Sequence, residues 1–219
     1  MSRDPLSRRP LLRSALSLAA LTQLPLAAPA LAAPAGRVAT PRQTPGPFYP
    51  TRLPADADND LVTVSGRSEP AQGQVMVLTG RVIDLAERPV RDARVEIWQC
   101  DVFGRYHHVD SSWQTAAVDE NFQGYGRTVT AVDGTYGFRT IKPVAYAGRA
   151  PHVHFAVSGP GIERFVTQMY LAGEPLNERD PVFSHIREPR ARQSVTVALT
   201  PAEARGPGTL GARFDIVLG

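Results

Sequence analysis

From Val75 onward the chain reads with a period of two. Val75, Val77, Thr79, Arg81 and Ile83 take alternate positions until Glu87-Arg88-Pro89 breaks the run, and Ala93, Val95, Ile97 and Gln99 repeat the pattern. Alternation of this kind is the signature of β-strands. Further strands are predicted at 126–130, 136–140, 153–157, 164–170, 194–198 and 213–218. Turn-forming residues separate them at Asp133-Gly134, Gly159-Pro160-Gly161 and Gly206-Pro207-Gly208. Short strands at this spacing predict an all-β fold, a β-sandwich of mainly antiparallel strands. One short helix is expected at 201–204, and no other segment sustains a helical period.

Upstream the pattern changes. Residues 33–74 form a Pro-rich N-terminal arm in which Thr44-Pro45-Gly46-Pro47-Phe48-Tyr49-Pro50 stands out. Each proline fixes φ and removes a donor, so an extended arm is expected, with the rings of Phe48 and Tyr49 packed on the domain at 75–219. Residues 1–32 read as an export signal. Ser7-Arg8-Arg9-Pro10-Leu11-Leu12 resembles a twin-arginine motif, a weakly apolar stretch follows, and Ala30-Leu31-Ala32 supplies small residues for cleavage. A periplasmic or secreted destination is expected. No later stretch approaches the length of a membrane span.

Composition matters chiefly through charge. The formal net charge is +3, but of 24 basic and 21 acidic residues, four arginines and Asp4 lie before Ala33, which leaves 20 of each. The domain is therefore neutral, and nothing in its charge calls for a nucleic-acid partner. A charged fraction of 21% with 42% hydrophobic residues excludes general disorder. Cys100 is the single cysteine, so no internal disulfide forms, and a buried apolar role is expected for it.

The most informative pentapeptide is Pro151-His152-Val153-His154-Phe155. On a strand, side chains two apart leave the same face, so both imidazoles can reach one metal. The pair alone would serve equally as a polar sheet face. With no CxxC there is no structural zinc pattern, and Glu163 and Glu174 fit no tight spacing with the pair for an Fe(II) carboxylate site. Tyr106 and Tyr146 are more suggestive, because a phenolate is a hard anionic ligand that suits Fe(III).

Several stretches then resemble one family. Leu78-Thr79-Gly80-Arg81-Val82-Ile83-Asp84, Arg88-Pro89-Val90, Val95-Glu96-Ile97-Trp98-Gln99 and Gly104-Arg105-Tyr106 are similar, in order and spacing, to the signature of intradiol ring-cleavage dioxygenases. Asn121-Phe122, Gly126-Arg127, the run from Gly137 to Pro143, Tyr146, and Arg149 to Phe155 continue it, with the protocatechuate 3,4-dioxygenase branch most alike. The resemblance covers roughly residues 41–175. It implies a non-haem Fe(III) enzyme that opens catechol-type rings with O₂ between the two hydroxylated carbons, giving cis,cis-muconate-type products. By motif, Tyr106, Tyr146, His152 and His154 would ligate the iron, and Tyr146 would be the ligand that substrate displaces. Arg149 would stabilise negative charge on the substrate, and Gln168 would act from behind the ligands. Tyr49 and Trp98 match positions near the substrate pocket, although either ring could fill core space. The family's sandwich subunits assemble, so a homo-oligomer is implied without a number.

Other residues draw plainer expectations. His107 and His108 follow Tyr106 directly and are expected to face solvent, and His185 is expected to have no special role in its loop. The segment Tyr146-Ala147-Gly148-Arg149 is much shorter than the loop of protocatechuate enzymes, which puts the substrate in doubt. Two rivals remain: a non-catalytic prealbumin-like binding module, which Gly80–Asp84 and Arg88–Val95 also resemble, and an enzyme with copper or zinc on the histidine pair.

Overall fold

The computed structural model describes residues 36–107 and 117–219. The export signal at 1–32, the first residues of the arm and His108 lie outside the described residues. Ten strands follow in chain order: β1 Val75–Asp84, β2 Arg94–Trp98, β3 Tyr125–Val129, β4 Thr135–Ile141, β5 His152–Gly159, β6 Ile162–Leu171, β7 Thr196–Val197, β8 Thr200–Pro201, β9 Leu210–Arg213 and β10 Ile216–Leu218. They form two five-stranded sheets. In the first, β1 pairs with β4, β9 and β10, and β8 adds to β9. The second runs β3-β2-β5-β6-β7. Most pairings are antiparallel; β1–β9, β1–β10 and β6–β7 are parallel. Among the described residues no helix is long and apolar enough to cross a membrane.

The core between the sheets explains the period of two. Met76, Leu78 and Val82 of β1 meet Val95 and Ile97 of β2, Val153, Phe155 and Val157 of β5, and Met169 of β6. On β1 the buried set is thus the one between Val75, Val77, Thr79 and Arg81, whose side lies nearer solvent. The second sheet behaves differently. On β5 the first six residues are all buried, so its outer face, carrying His152, His154 and Ala156, is covered as well. The cover is the arm together with the loops at 100–107 and 144–150.

The arm is stitched down rather than merely laid across. Thr40 N donates to Val217 O at 2.9 Å, Gln43 N to Val166 O at 2.8 Å, and Leu61 N to Arg139 O at 2.7 Å. Thr167 Oγ1 donates to Pro41 O, and Gln168 Nε2 to Thr44 O. These bonds give the extended, proline-broken backbone the partners that a regular strand would supply. Where the arm crosses β3 the fit is tight. A Cβ on Gly126 would sit 2.5 Å from both Asp58 O and Leu61 Cδ1.

Departures from the sequence pattern are short elements. The stretch 213–218 is two strands, because Phe214 turns its N–H to Thr79 O between β9 and β10. The helix expected at 201–204 is the end of β8 followed by a 3-10 turn, Glu203–Arg205. A six-residue helix, α1 Pro189–Ser194, carries no legible period and is set by its ends. Glu188 accepts from Ala191 N and proline starts the first turn.

The crossing at Gly126 yields a test. Gly126→Ala must displace the arm, and overpacking of this kind costs about 1–3 kcal/mol. Urea unfolding should show that loss with an unchanged slope, and a variant as stable as the parent would mean that the arm is not docked there.

Candidate functional site

Strand register assembles the site. β2 pairs β5 with Trp98 opposite His154, and β5 pairs β6 with His154 opposite Gln168 and His152 opposite Tyr170. All of these side chains leave the covered face, since Val153 and Phe155 take the other one. The Nε2 atoms of His152 and His154 lie 3.1 Å apart. His152 Nδ1 is held by Ala150 O at 2.6 Å, which puts its proton on Nδ1 and leaves Nε2 as an acceptor. Burial, then the charge of Arg149, lowers His152 to about 4. Burial, then His152, holds His154 well below the usual histidine value. Both rings are therefore neutral at pH 7, with ring nitrogens converging in a dry place. A cation between them would use both lone pairs, whereas a hydrogen bond uses only one.

Two loops bring tyrosines to the same point. Asp101 Oδ1 accepts from Phe103 N and Arg105 N, a turn that sends Tyr106 back under the arm. The second loop is a two-residue turn closed by Arg149 N to Tyr146 O at 2.7 Å and Tyr146 N to Arg149 O at 3.3 Å. Ala147 and Gly148 at its tip have φ of 42° and 79°, the pair of left-handed values that such a turn demands. Tyr106 OH donates to Tyr146 OH at 3.2 Å. The four rings form a closed circuit: Tyr106 to Tyr146 5.3 Å between centroids, Tyr146 to His152 5.6 Å, His152 to His154 4.7 Å and His154 to Tyr106 6.3 Å. Burial raises both phenols, Tyr106 the more strongly, so neither ionises without a cation beside it. Among the described residues no cluster of three His, Cys, Asp or Glu could hold a metal, so a metal here would need the tyrosines.

Arg149 borders this circuit. Its Nε donates to Asp180 Oδ2 at 2.8 Å, and its Nη2 to Gln168 Oε1 at 2.5 Å and Tyr170 OH at 3.5 Å. Asp180 is fully buried and held on every side. Ala150 N also donates to Oδ2, while Val182 N and Phe183 N donate to Oδ1. Burial would raise its carboxyl, but bonds from Phe183 N, Arg149 and Ala150 N outweigh that and bring it below the usual range. Gly46, Pro47, Phe48, Tyr146, Ala147, Arg149 and His154 line a cavity of about 260 Å³. That is room for a single-ring molecule rather than a drug-sized one. A wider groove of about 600 Å³ beside Arg67 and Glu120 holds none of the four rings.

The other sequence candidates take supporting places. Trp98 is fully buried and stacks on His154 at 4.8 Å with planes 6° apart. Tyr49 meets Trp98 edge-on at 5.1 Å and donates to Glu96 at 2.9 Å. Neither lines the cavity; they back His154 from behind. Gln168 is buried and braces Arg149 against the arm. Cys100 is buried with its thiol pushed up to about 12 by burial. His107 corrects its expectation: Tyr106 is in a loop, so strand alternation does not apply, and the His107 ring turns inward, edge-on to Phe122 and 3.5 Å from Asp101 Oδ2. His185 is exposed at the end of the 3-10 turn Phe183–His185, with Nδ1 against Pro181 O.

Sequence reading passed over Tyr170 and Asp180, and it expected Phe48 to pack on the domain without giving it a place at the site. Phe48 stacks on Tyr106 at 4.5 Å and walls the cavity, although its neighbour Tyr49 was the one matched to a pocket. Tyr170 hides in a strand pattern. Asp180 had a signal, since an aspartate before proline marks a turn, but nothing local ties it to Arg149, 31 residues away.

Fold and site together define an oxygenase of the intradiol type. A family model described as Dioxygenase matches residues 44–219, and the chain belongs to that family as an intradiol ring-cleavage dioxygenase. It is 39% identical over 181 residues to the protocatechuate 3,4-dioxygenase beta chain of Burkholderia cepacia, covering 78% of this chain and 76% of that one. With a catechol 1,2-dioxygenase of Pseudomonas sp. (strain EST1001) it shares 31% over 196 residues, 81% of this chain but 61% of the relative. The dioxygenase domain of a dioxygenase carbohydrate-binding protein fusion from Streptomyces sp. SirexAA-E superposes with a TM-score of 0.61 at 28% identity, covering 83% and 98%. The non-catalytic module is thereby set aside.

Buried neutral histidine has a cost in acid. The unfolded chain takes up the His152 proton near 6.5 and the folded chain only near 4, so this stability is intact above pH 6.5 and drains away as pH falls towards 4. The difference corresponds to about 3 kcal/mol at ~1.36 kcal/mol per pH unit. Metal-free protein should lose stability over that window, and His152→Asn should flatten the loss. An equal slope in both proteins would place the titrating group elsewhere.

Proposed function

We propose that this chain is a non-haem Fe(III) dioxygenase that opens catechol-type rings with O₂ between the hydroxylated carbons, giving cis,cis-muconate-type products, with Tyr106, Tyr146, His152 and His154 holding the iron. The observation that carries it is the closed circuit of two neutral imidazoles and two phenols in a buried place. That donor set suits a hard, highly charged ion, and the same ion would hold the phenols ionised against their burial. Ferric iron would supply a Lewis acid that binds both catechol oxygens and draws electron density from the ring.

The remaining tasks fall to the chain. Tyr146 stands on the cavity wall, where its phenolate oxygen can take a proton from an arriving hydroxyl. Arg149 Nε and Nη2 are spoken for, which leaves Nη1 for negative charge that grows on the substrate oxygen. Phe48, Pro47 and Ala147 exclude water around the ring. The leader at residues 1–32 is proposed to send the protein out by the twin-arginine route, which moves folded, metal-loaded chains.

Two measurements test this. Purified protein should carry about one ferric ion per chain with a phenolate charge-transfer band, and Tyr106→Phe should weaken iron retention. Stoichiometric zinc, or colourless protein after iron loading, would sink the proposal. Arg149→Ala should keep iron and colour yet lose roughly 10²-fold in turnover, as removal of a preorganised charge-stabilising donor does. Full turnover in that variant would make Arg149 a structural ion pair only.

A further inference from the structure

His152 and His154 aim their Nε2 atoms at one point but are held there differently. Behind His152, Nδ1 meets Ala150 O at 2.6 Å, whereas His154 Nδ1 is buried and has no hydrogen-bond partner among the described residues. Histidines that serve a metal nearly always anchor their second nitrogen on a carboxylate, a carbonyl or water. His154 departs from that arrangement. Rotation of an imidazole about χ2 is soft and roughly two-fold when nothing restrains it, so something other than a hydrogen bond must hold this ring in its plane.

Strand register supplies it. Tyr125, Trp98, His154 and Gln168 stand opposite one another across β3, β2, β5 and β6. The indole of Trp98 lies flat against His154, 4.8 Å between centroids and 6° between planes. From the arm, Tyr49 meets the indole edge-on at 5.1 Å, and its hydroxyl is tied to the buried Glu96. Trp98 has no exposed surface, and its Nε1 finds no partner among the described residues. A buried tryptophan usually satisfies that N–H; here the ring serves through its face. We propose that Trp98 is a positioning residue that fixes the plane of His154 by stacking, doing for this imidazole what Ala150 O does for His152. A turn about χ2 would drive an edge of the imidazole into the indole, which close packing forbids. The 3.1 Å bond between the two Nε2 atoms then selects which end of the ring faces the site.

The inference rests on the metal reading above and concerns how one of its ligands is aimed. The test follows the imidazoles of the full chain by NMR, isotope-labelled at histidine nitrogen and free of metal, in the parent, Trp98→Phe and Trp98→Leu. In the parent, His152 should show a slowly exchanging Nδ1 proton and His154 none, and the carbon-bound protons of His154 should be shifted upfield by the indole. In Trp98→Leu the His154 signals should lose that shift and broaden as the ring turns, while those of His152 stay sharp. Trp98→Phe keeps an aromatic face and should restore narrow His154 lines. After ferric loading, Trp98→Leu should release iron to a chelator about ten-fold faster than the parent, the loss typical when a ligand's support is removed. A role in core packing alone would lower the stability of both variants without separating the two histidines. A slowly exchanging Nδ1 proton on His154, or unshifted His154 signals, would overturn the proposal on the parent protein alone, whether or not Trp98→Leu folds. So would a folded Trp98→Leu whose His154 lines match the parent's or change together with those of His152. Failure of every protein to hold iron would instead overturn the metal reading and leave the metal-free spectra to decide on Trp98.

Discussion

Everything at the site depends on one strand being buried on both faces. A β-strand cannot avoid presenting alternate residues to opposite sides, so β5 sends Val153, Phe155 and Val157 into the core and must send His152 and His154 the other way. Left open to water, that second face would be a polar sheet surface with ordinary imidazoles. Covered, it becomes a place where histidine is neutral, phenols stay protonated unless a cation intervenes, and charge is scarce. The chemistry open to the site follows from the cover as much as from the rings themselves.

The cover also explains the uneven distribution of charge. Asp180 is tolerated in full burial because it has four donors, and Arg149 because it has Asp180, Gln168 and Tyr170. Glu96, on the same face further along β2, is accommodated likewise by the hydroxyls of Tyr49 and Tyr125. Each buried ion is matched locally, so the apolar cavity wall can remain free of stray charge.

How much of this was written locally varies from residue to residue. The strands were legible because their side-chain period survives any tertiary context, as at β1 and β5. The face of β1 was not, since Val75 and Val77 are as apolar as Met76 and Leu78 and only packing chooses between them. His152 and His154 stand out because two residues apart on a strand means one face. The parts that Phe48, Tyr170 and Asp180 play at the site are invisible for the opposite reason, because their partners lie far along the chain or across a strand pairing. His107 shows the limit from the other side: a strand rule applied to a residue that sits in a loop gives the wrong direction.

One bond gives the molecule a timetable. The arm that roofs the cavity at Gly46–Phe48 is pinned a few residues earlier, at Thr40, to Val217 in β10, with Val217 N returning a bond to Thr40 Oγ1 across 177 positions of sequence. Contacts so distant close late in folding, after the loop between them has been ordered. The histidine pair can thus be in register on β5 while its roof is still unlatched. Docking of the arm is thus the step that seals the face of β5 carrying the two imidazoles, so the dryness of that face is inherited from contacts made far away in the sequence.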